Sequence, residues 1–283
     1  GFIGVGPVAA SSVGPSITIA SDALTNPSQP EITGTAPCDG IWLTLLFLGP
    51  DGAVRQYYQH RRVGAGEAWS VIPDPPLTDG EWTVRAEFEC PRFLGGSDFR
   101  SITQVLTVDT TAPDATINGL GVTNDQTPEI TGTTEEGATI TAVIKDDDAT
   151  VTVTQEGTGW SATPTELGEG GYTVIVTATD ALGNANTYEM LFSVDITAPA
   201  VSIDSGDTDS TNNETSLIAG SAGSDDADSN VEVTLTHADS AAEQIVSAGI
   251  GADESWSITP DPGLADGVWT VVAEVTDEAG NTG

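Results

Sequence analysis

Three motifs recur three times along the chain in the same order, and this repetition constrains the fold more than any other feature. Thr25-Asn-Pro-Ser-Gln-Pro-Glu-Ile-Thr-Gly-Thr35 returns as Thr123-Asn-Asp-Gln-Thr-Pro-Glu-Ile-Thr-Gly-Thr133, and in weaker form as Thr211-Asn-Asn-Glu-Thr-Ser-Leu-Ile-Ala-Gly-Ser221. A Trp-Ser pair followed by a proline occurs at Trp69, Trp160 and Trp256. The third block reads Asp79-Gly-Glu-Trp82-Thr-Val, Gly170-Gly-Tyr172-Thr-Val and Asp266-Gly-Val-Trp269-Thr-Val. Two linkers also match, Val108-Asp-Thr-Thr-Ala-Pro113 and Val194-Asp-Ile-Thr-Ala-Pro199. The spacing divides the chain into an N-terminal extension, 1–13, and three copies at 14–111, 112–197 and 198–283.

Each copy reads as strands. Tyr172, Val174, Val176 and Ala178 alternate with Thr173, Ile175, Thr177 and Thr179, which is the period of a half-buried strand. Trp82, Val84, Ala86 and Phe88 repeat the pattern, as do Trp269, Val271, Ala273 and Val275. Turn signals such as Gly49-Pro-Asp-Gly52, Asp146-Asp-Asp148 and Pro260-Asp-Pro-Gly263 separate the runs. About seven short strands in roughly 90 residues fit an antiparallel β-sandwich. The expected fold is all-β, three such sandwiches in tandem. The Trp69, Trp160 and Trp256 set is expected to fill the cores, because large aromatics are usually buried. Tyr172 follows a Gly turn at the start of a late strand, the place of a corner aromatic.

The pattern Gly-x-Tyr-Thr-Val…Thr-Asp-Ala-Leu-Gly-Asn, with its Asp-x-Thr-Ala-Pro linkers, resembles the bacterial immunoglobulin-like domains of giant surface adhesins and biofilm proteins. The resemblance covers copies two and three well, and copy one in its first half and linker. It implies secreted spacer modules, often stiffened by calcium where domains meet. The function expected is a non-enzymatic extracellular structural module, an adhesin stalk or filament subunit at the cell surface. Its partners would be copies of itself or further repeats of the same kind. Fold alone does not fix function.

The chemistry of the residues narrows the alternatives. There is no His-Glu-x-x-His, no Gly-x-Ser-x-Gly and no phosphate-binding Gly loop, so no enzyme is expected. A formal charge of −36 argues against nucleic acid and anionic membrane surfaces as partners. No apolar run reaches the ~18 residues that span a bilayer. Carboxylates instead suggest calcium, which takes six to eight oxygens. In an immunoglobulin-like sandwich the linker enters beside the loops after strands B and F. Asp109, Glu136 and Asp180, with Asn184, would then form one calcium site. Asp195, Asp228 and Asp277, with Asn281, would form the next. The alternative is that these are turn residues solvated at loop tips.

Copy one differs at the same places. Aligning Trp82 with Tyr172 sets Cys90 opposite Asp180, and aligning Gly34 with Gly132 sets Cys38 opposite Glu136. Loops near enough to share an ion are near enough for a disulfide. Cys38–Cys90 is therefore expected to replace the metal there, which implies an oxidising, extracellular setting; two buried free thiols are the alternative. Charge is uneven too. Residues 1–109 hold six of the seven basic residues against twelve acids, while 110–283 hold only Lys145 against 31. That acidity also suits a salt-adapted surface. Arg55, Tyr58, Arg61 and Arg62 lie in the one cationic, aromatic stretch. It reads either as an exposed strand or as the site of a tip module that binds a cell-surface receptor or glycan.

Copies one and two end on a strand before the linker, Ile102–Val108 and Tyr188–Val194, and copy three has no equivalent. Aligning Pro15 with Pro199 lays residues 2–10 over that slot. The chain is then either a window on a longer array or a donor-strand subunit. In the second case Phe2, Ile3, Val5 and Val8 complete copy three of a neighbour, building a filament.

Overall fold

The computed structural model describes residues 16–19, 24–36, 41–64, 66–91, 95–204, 211–223 and 230–283. Among them every regular element is a β-strand, and no helix is long and apolar enough to cross a membrane. The candidate donor residues Phe2, Ile3, Val5 and Val8 lie outside the described residues, as do Cys38 and Asp228.

The chain divides into two compact units. One comprises Gly1–Pro113 with Gly137–Thr139 and Thr179–Asn186, and the other Asp114–Glu136, Ile140–Ala178 and Thr187–Gly283. The first unit therefore takes in the Asp-Ala-Leu-Gly-Asn loop of the second repeat.

In the first repeat the strands are β1 (Ser16–Ile19), β2 (Leu24–Thr25), β3 (Ile32–Thr35), β4 (Ile41–Leu48), β5 (Val54–Val63), β6 (Ala68–Val71), β7 (Gly80–Pro91) and β8 (Ser97–Val108). They form one sheet ordered β1-β3-β6 and another ordered β2-β8-β7-β4-β5. Pairing is antiparallel except between β2 and β8. The alternation predicted from the sequence is present. Leu43, Leu45 and Phe47 of β4 and Trp82, Val84, Ala86 and Phe88 of β7 turn inward onto Ile32 and Trp69. Successive side chains of a strand point to opposite faces, so every second residue enters the core.

The second repeat contains β9 (Ala115–Ile117), β10 (Gly121–Thr123), β11 (Ile130–Thr134), β12 (Thr139–Ile144), β13 (Val151–Glu156), β14 (Gly159–Pro164), β15 (Gly170–Thr179) and β16 (Ala185–Val194). Its sheets are β13-β14-β11-β9 and β10-β16-β15-β12, again with one parallel pair, β10 with β16. The third repeat contains β17 (Val201–Ile203), β18 (Ile218–Ala222), β19 (Asn230–His237), β20 (Glu243–Gly249), β21 (Ser255–Ile258) and β22 (Trp269–Val275). Its sheets are β17-β18-β21 and β20-β19-β22. Each repeat has its own apolar core.

Two repeated features explain the motifs. In the register of the strands, Gly34 faces Trp69, Gly132 faces Trp160 and Gly220 faces Trp256. All three tryptophans are buried. A Cβ on Gly132 would lie 2.4 Å from Cζ2 of Trp160 and 2.0 Å from the Thr116 carbonyl; on Gly220, 2.7 Å from Cζ2 of Trp256. The glycine of the Ile-x-Gly-x motif thus leaves room for an indole laid across its strand. The corner aromatics follow a second rule. Trp82 Nε1 donates to the Thr78 carbonyl (2.8 Å), Tyr172 Oη to Gly168 (2.9 Å) and Trp269 Nε1 to Ala265 (2.9 Å). Each bond closes the turn entering a long strand, as the expected corner position of Tyr172 requires.

Candidate functional site

Six of the residues expected to hold calcium, Asp109, Asp180 and Asn184 in one place and Asp195, Asp277 and Asn281 in the other, bond to one another at the two linkers. In the first unit the loop after β15 closes on itself. Asp180 Oδ1 accepts the N–H groups of Leu182 (2.8 Å) and Asn184 (2.9 Å), and Oδ2 accepts Asn184 Nδ2 (2.8 Å). Asp180 N–H in turn donates to the Asn184 carbonyl, 3.0 Å. Gly183 supplies the turn at φ +88°, a left-handed conformation in which glycine carries no steric cost. From this closed loop Asn184 Nδ2 reaches the linker and donates to the Asp109 carbonyl at 2.9 Å.

The second unit repeats the arrangement. Asp277 Oδ1 accepts Asn281 N–H (2.8 Å), Oδ2 accepts Asn281 Nδ2 (2.9 Å), and the same amide donates to the Asp195 carbonyl at 2.8 Å. Gly280 takes φ +94°. The neighbouring Asn124 N–H donates to the Ala279 carbonyl at 3.2 Å.

Each linker is also gripped from the repeat that precedes it. Asp79 Oδ1 accepts Thr110 N–H (2.9 Å) and Oγ1 (2.8 Å), and Oδ2 accepts Thr111 Oγ1 (2.7 Å). Glu169 Oε2 accepts Thr197 Oγ1 at 2.5 Å. Asp109 and Asp195 cap their own linkers, each accepting the N–H two residues on at 3.0 Å. Asp79, Glu169 and the linker threonines are not among the candidate site residues that the sequence offers. A signal for them existed: Asp79 and Glu169 both stand three residues before a corner aromatic, and Thr111 and Thr197 share one place in the linker motif.

Hydrogen bonding tunes the carboxylates. The hydroxyls of Thr111 and Thr110 hold Asp79 below its ordinary pKa. At Asp180 burial is the largest single influence and pushes upward, but the Asn184 side chain and the loop N–H groups together bring the pKa below its ordinary value. The balance is the same at Asp277, with Asn281 in the place of Asn184. A carboxylate that accepts several N–H groups is stabilised in its charged form.

The described donors of both sets are turned toward hydrogen bonding, and Asp228 of the second set lies outside the described residues. Among the described residues no three Asp, Glu, His or Cys side chains come together as a cation would need. Both oxygens of Asp180 and of Asp277 face N–H donors. The Asn184 and Asn281 amides point their NH2 groups at acceptor-only oxygens, where a cation would require an oxygen. Glu136 is exposed.

Two of the four candidate ligand-binding residues, Tyr58 and Arg55, are engaged within the fold. Tyr58 packs against the first core, and its hydroxyl bonds Gln56 Oε1 (3.0 Å) and the Asp74 backbone. Arg55 is paired with Asp51 at 2.5 Å. The side chains of Arg61 and Arg62 lie outside the described residues. Cys90, at the end of β7, is buried and not a free thiol.

Folded as tandem all-β repeats with bonded linkers, the molecule has the architecture of a modular array. The chain belongs to the Bacterial Ig-like domain family, which it matches over residues 102–197 and 194–283. Similar solved structures include the tetra-tandem repeat in the extending region of a large adhesion protein (25% identity over 94% of this chain and 71% of that one, TM-score 0.34). Another is a Ca2+-stabilized adhesin that helps an Antarctic bacterium bind ice (23%, 97% and 72%, TM-score 0.45). A third is a 1.5-MDa bacterial ice-binding adhesin (17%, 96% and 96%, TM-score 0.38). A comparison with curated protein sequences finds no match.

Proposed function

We propose that the chain is a non-enzymatic structural module of a bacterial surface adhesin, working outside the cell as a stalk. It would hold Ig-like domains at 14–111, 112–197 and 198–283 in a stiff row, with further repeats of the same kind as its neighbours. The observation that carries this reading is the double grip on each linker: an acid of the preceding repeat holds the threonines, and an asparagine of the following repeat holds the carbonyl. A flexible tether would leave those groups to water. Spin-label distances measured across each linker test it. A stiff joint gives one narrow distribution, and distributions as broad as those of a free chain defeat the reading.

Two further features are proposed with it. A Cys38–Cys90 disulfide would fasten the first repeat, supported by the burial of Cys90 and its lack of a free thiol. Head-to-tail assembly through residues 2–10 is supported by β22, which among the described residues pairs with β19 and, at Val275 alone, with Gly283. Sedimentation of the chain with and without residues 1–10 tests the second: loss of concentration-dependent polymers on deletion is expected, and unchanged monomers in both would end it.

A further inference from the structure

We propose that the Asp-x-x-Gly-Asn loops are metal-free latches, in which the Asn184 and Asn281 side-chain amides occupy the place a junction cation would take. This rests on reading the linkers as stiff joints, and it adds what makes them stiff.

Atom types decide the orientation. Asn184 Nδ2 lies within hydrogen-bond distance of two groups, the Asp109 carbonyl at 2.9 Å and Asp180 Oδ2 at 2.8 Å. Both can only accept, so the amide must present its two N–H bonds there. An NH2 group placed between two oxygens does a cation's work of joining acceptors that would otherwise repel. It does so without the six to eight ligands that calcium requires. Asp180 is the positioning residue. With Oδ1 it fastens the Leu182 and Asn184 backbone, and with Oδ2 it aims the amide.

The second copy makes the case independently. Asn281 Nδ2 bridges the Asp195 carbonyl and Asp277 Oδ2 at 2.8 and 2.9 Å, with Asp277 Oδ1 on the Asn281 N–H. The amide stands four positions after the acid in both loops, and the spanned carbonyl belongs to the Asp of the linker in both. Two separate loops with one bonding scheme point to a built device. The first repeat, which has Cys90-Pro-Arg-Phe-Leu-Gly-Gly at that place, has no such loop.

The test uses the whole chain, labelled with 15N, in calcium and in chelator. The side-chain amide protons of Asn184 and Asn281 should exchange about tenfold or more slowly than those of an exposed asparagine, as one net hydrogen bond of about 1.4 kcal/mol implies. Protection should be equal in both buffers. Protection that appears only with calcium, or none in either, overturns the latch. Asn184→Ala should broaden the spin-label distances across the first linker alone, and Asn281→Ala those across the second alone. If the variants stay as narrow as the parent, the latch is likewise wrong. Protected amides beside broad parental distances would leave the latch standing and remove the stiff-stalk reading instead.

Discussion

At Gly132 a methyl group has nowhere to go, with the Thr116 carbonyl 2.0 Å away on one side and the Trp160 indole 2.4 Å away on the other. Gly132→Ala should therefore destabilise the second repeat by on the order of 3 kcal/mol, because neither the backbone nor a buried ring can yield cheaply. Thermal melting monitored by Trp fluorescence checks this, and an exposed control such as Gly157→Ala, itself at positive φ, should cost less. The acids of the latches make a second residue-scale prediction. Asp180 and Asp277 have lowered pKa values in the fold, so the unfolded chain binds protons more readily than the folded one as pH falls. Their contribution is complete above the ordinary carboxylate range, and it is lost as pH drops through the folded values. The melting temperature should begin to fall below about pH 4. Asp180→Asn should melt lower at neutral pH and lose less on acidification, as paired melts of the two proteins would reveal. The sequence marked Asp180 and Asp277 as special, either as calcium ligands or as turn residues at loop tips, and the structure sets N–H donors against both. Residue type and spacing cannot distinguish an acid facing a metal from one facing N–H groups, since only the closed loop fixes where those donors point.

The strands themselves are legible in the sequence because burial has a period. Val84, Ala86 and Phe88 on β7 and Val174, Val176 and Ala178 on β15 alternate inward as read. The tryptophan and corner motifs also identify their own places. Tyr58 is less legible. Beside arginines it resembles a binding residue, yet register sets it opposite Leu45, which turns into the core, and its hydroxyl finds a backbone partner. Asp79 and Glu169 escaped notice because an acid beside glycine looks like any turn residue. Their partners lie 31, 32 and 28 residues away. At this scale the proposed Cys38–Cys90 bond makes a measurable prediction. It closes a loop of about 50 residues, for which chain entropy gives on the order of 4 kcal/mol. Reduction should lower the melting of the first repeat and leave the rest unmoved, resolved by calorimetry with and without reductant. Labelling of two thiols in the unreduced, denatured chain would eliminate the bond.

Charge acts on the molecule as a whole. Residues 110–283 place 31 acids against one lysine, and like charges at that density repel in the folded state. Salt should therefore raise the melting temperature even with chelator present, as the screening length shrinks from about 10 Å at 0.1 M to about 3 Å at 1 M. An increase seen only with calcium would instead identify specific ion binding, and comparing potassium and calcium chloride at matched ionic strength separates the two. The double grip on the linkers has a consequence of another kind, for how such an array grows. A repeat of the second type carries, at one end, the asparagine that takes hold of the linker before it, and at the other the acid that takes hold of the linker after it. Duplicated in place, it would form both new joints with residues it already has. The first repeat, lacking the asparagine loop, can hold the linker that follows it but not one that precedes it in this way. The joints thus give the array a direction as well as a means of lengthening.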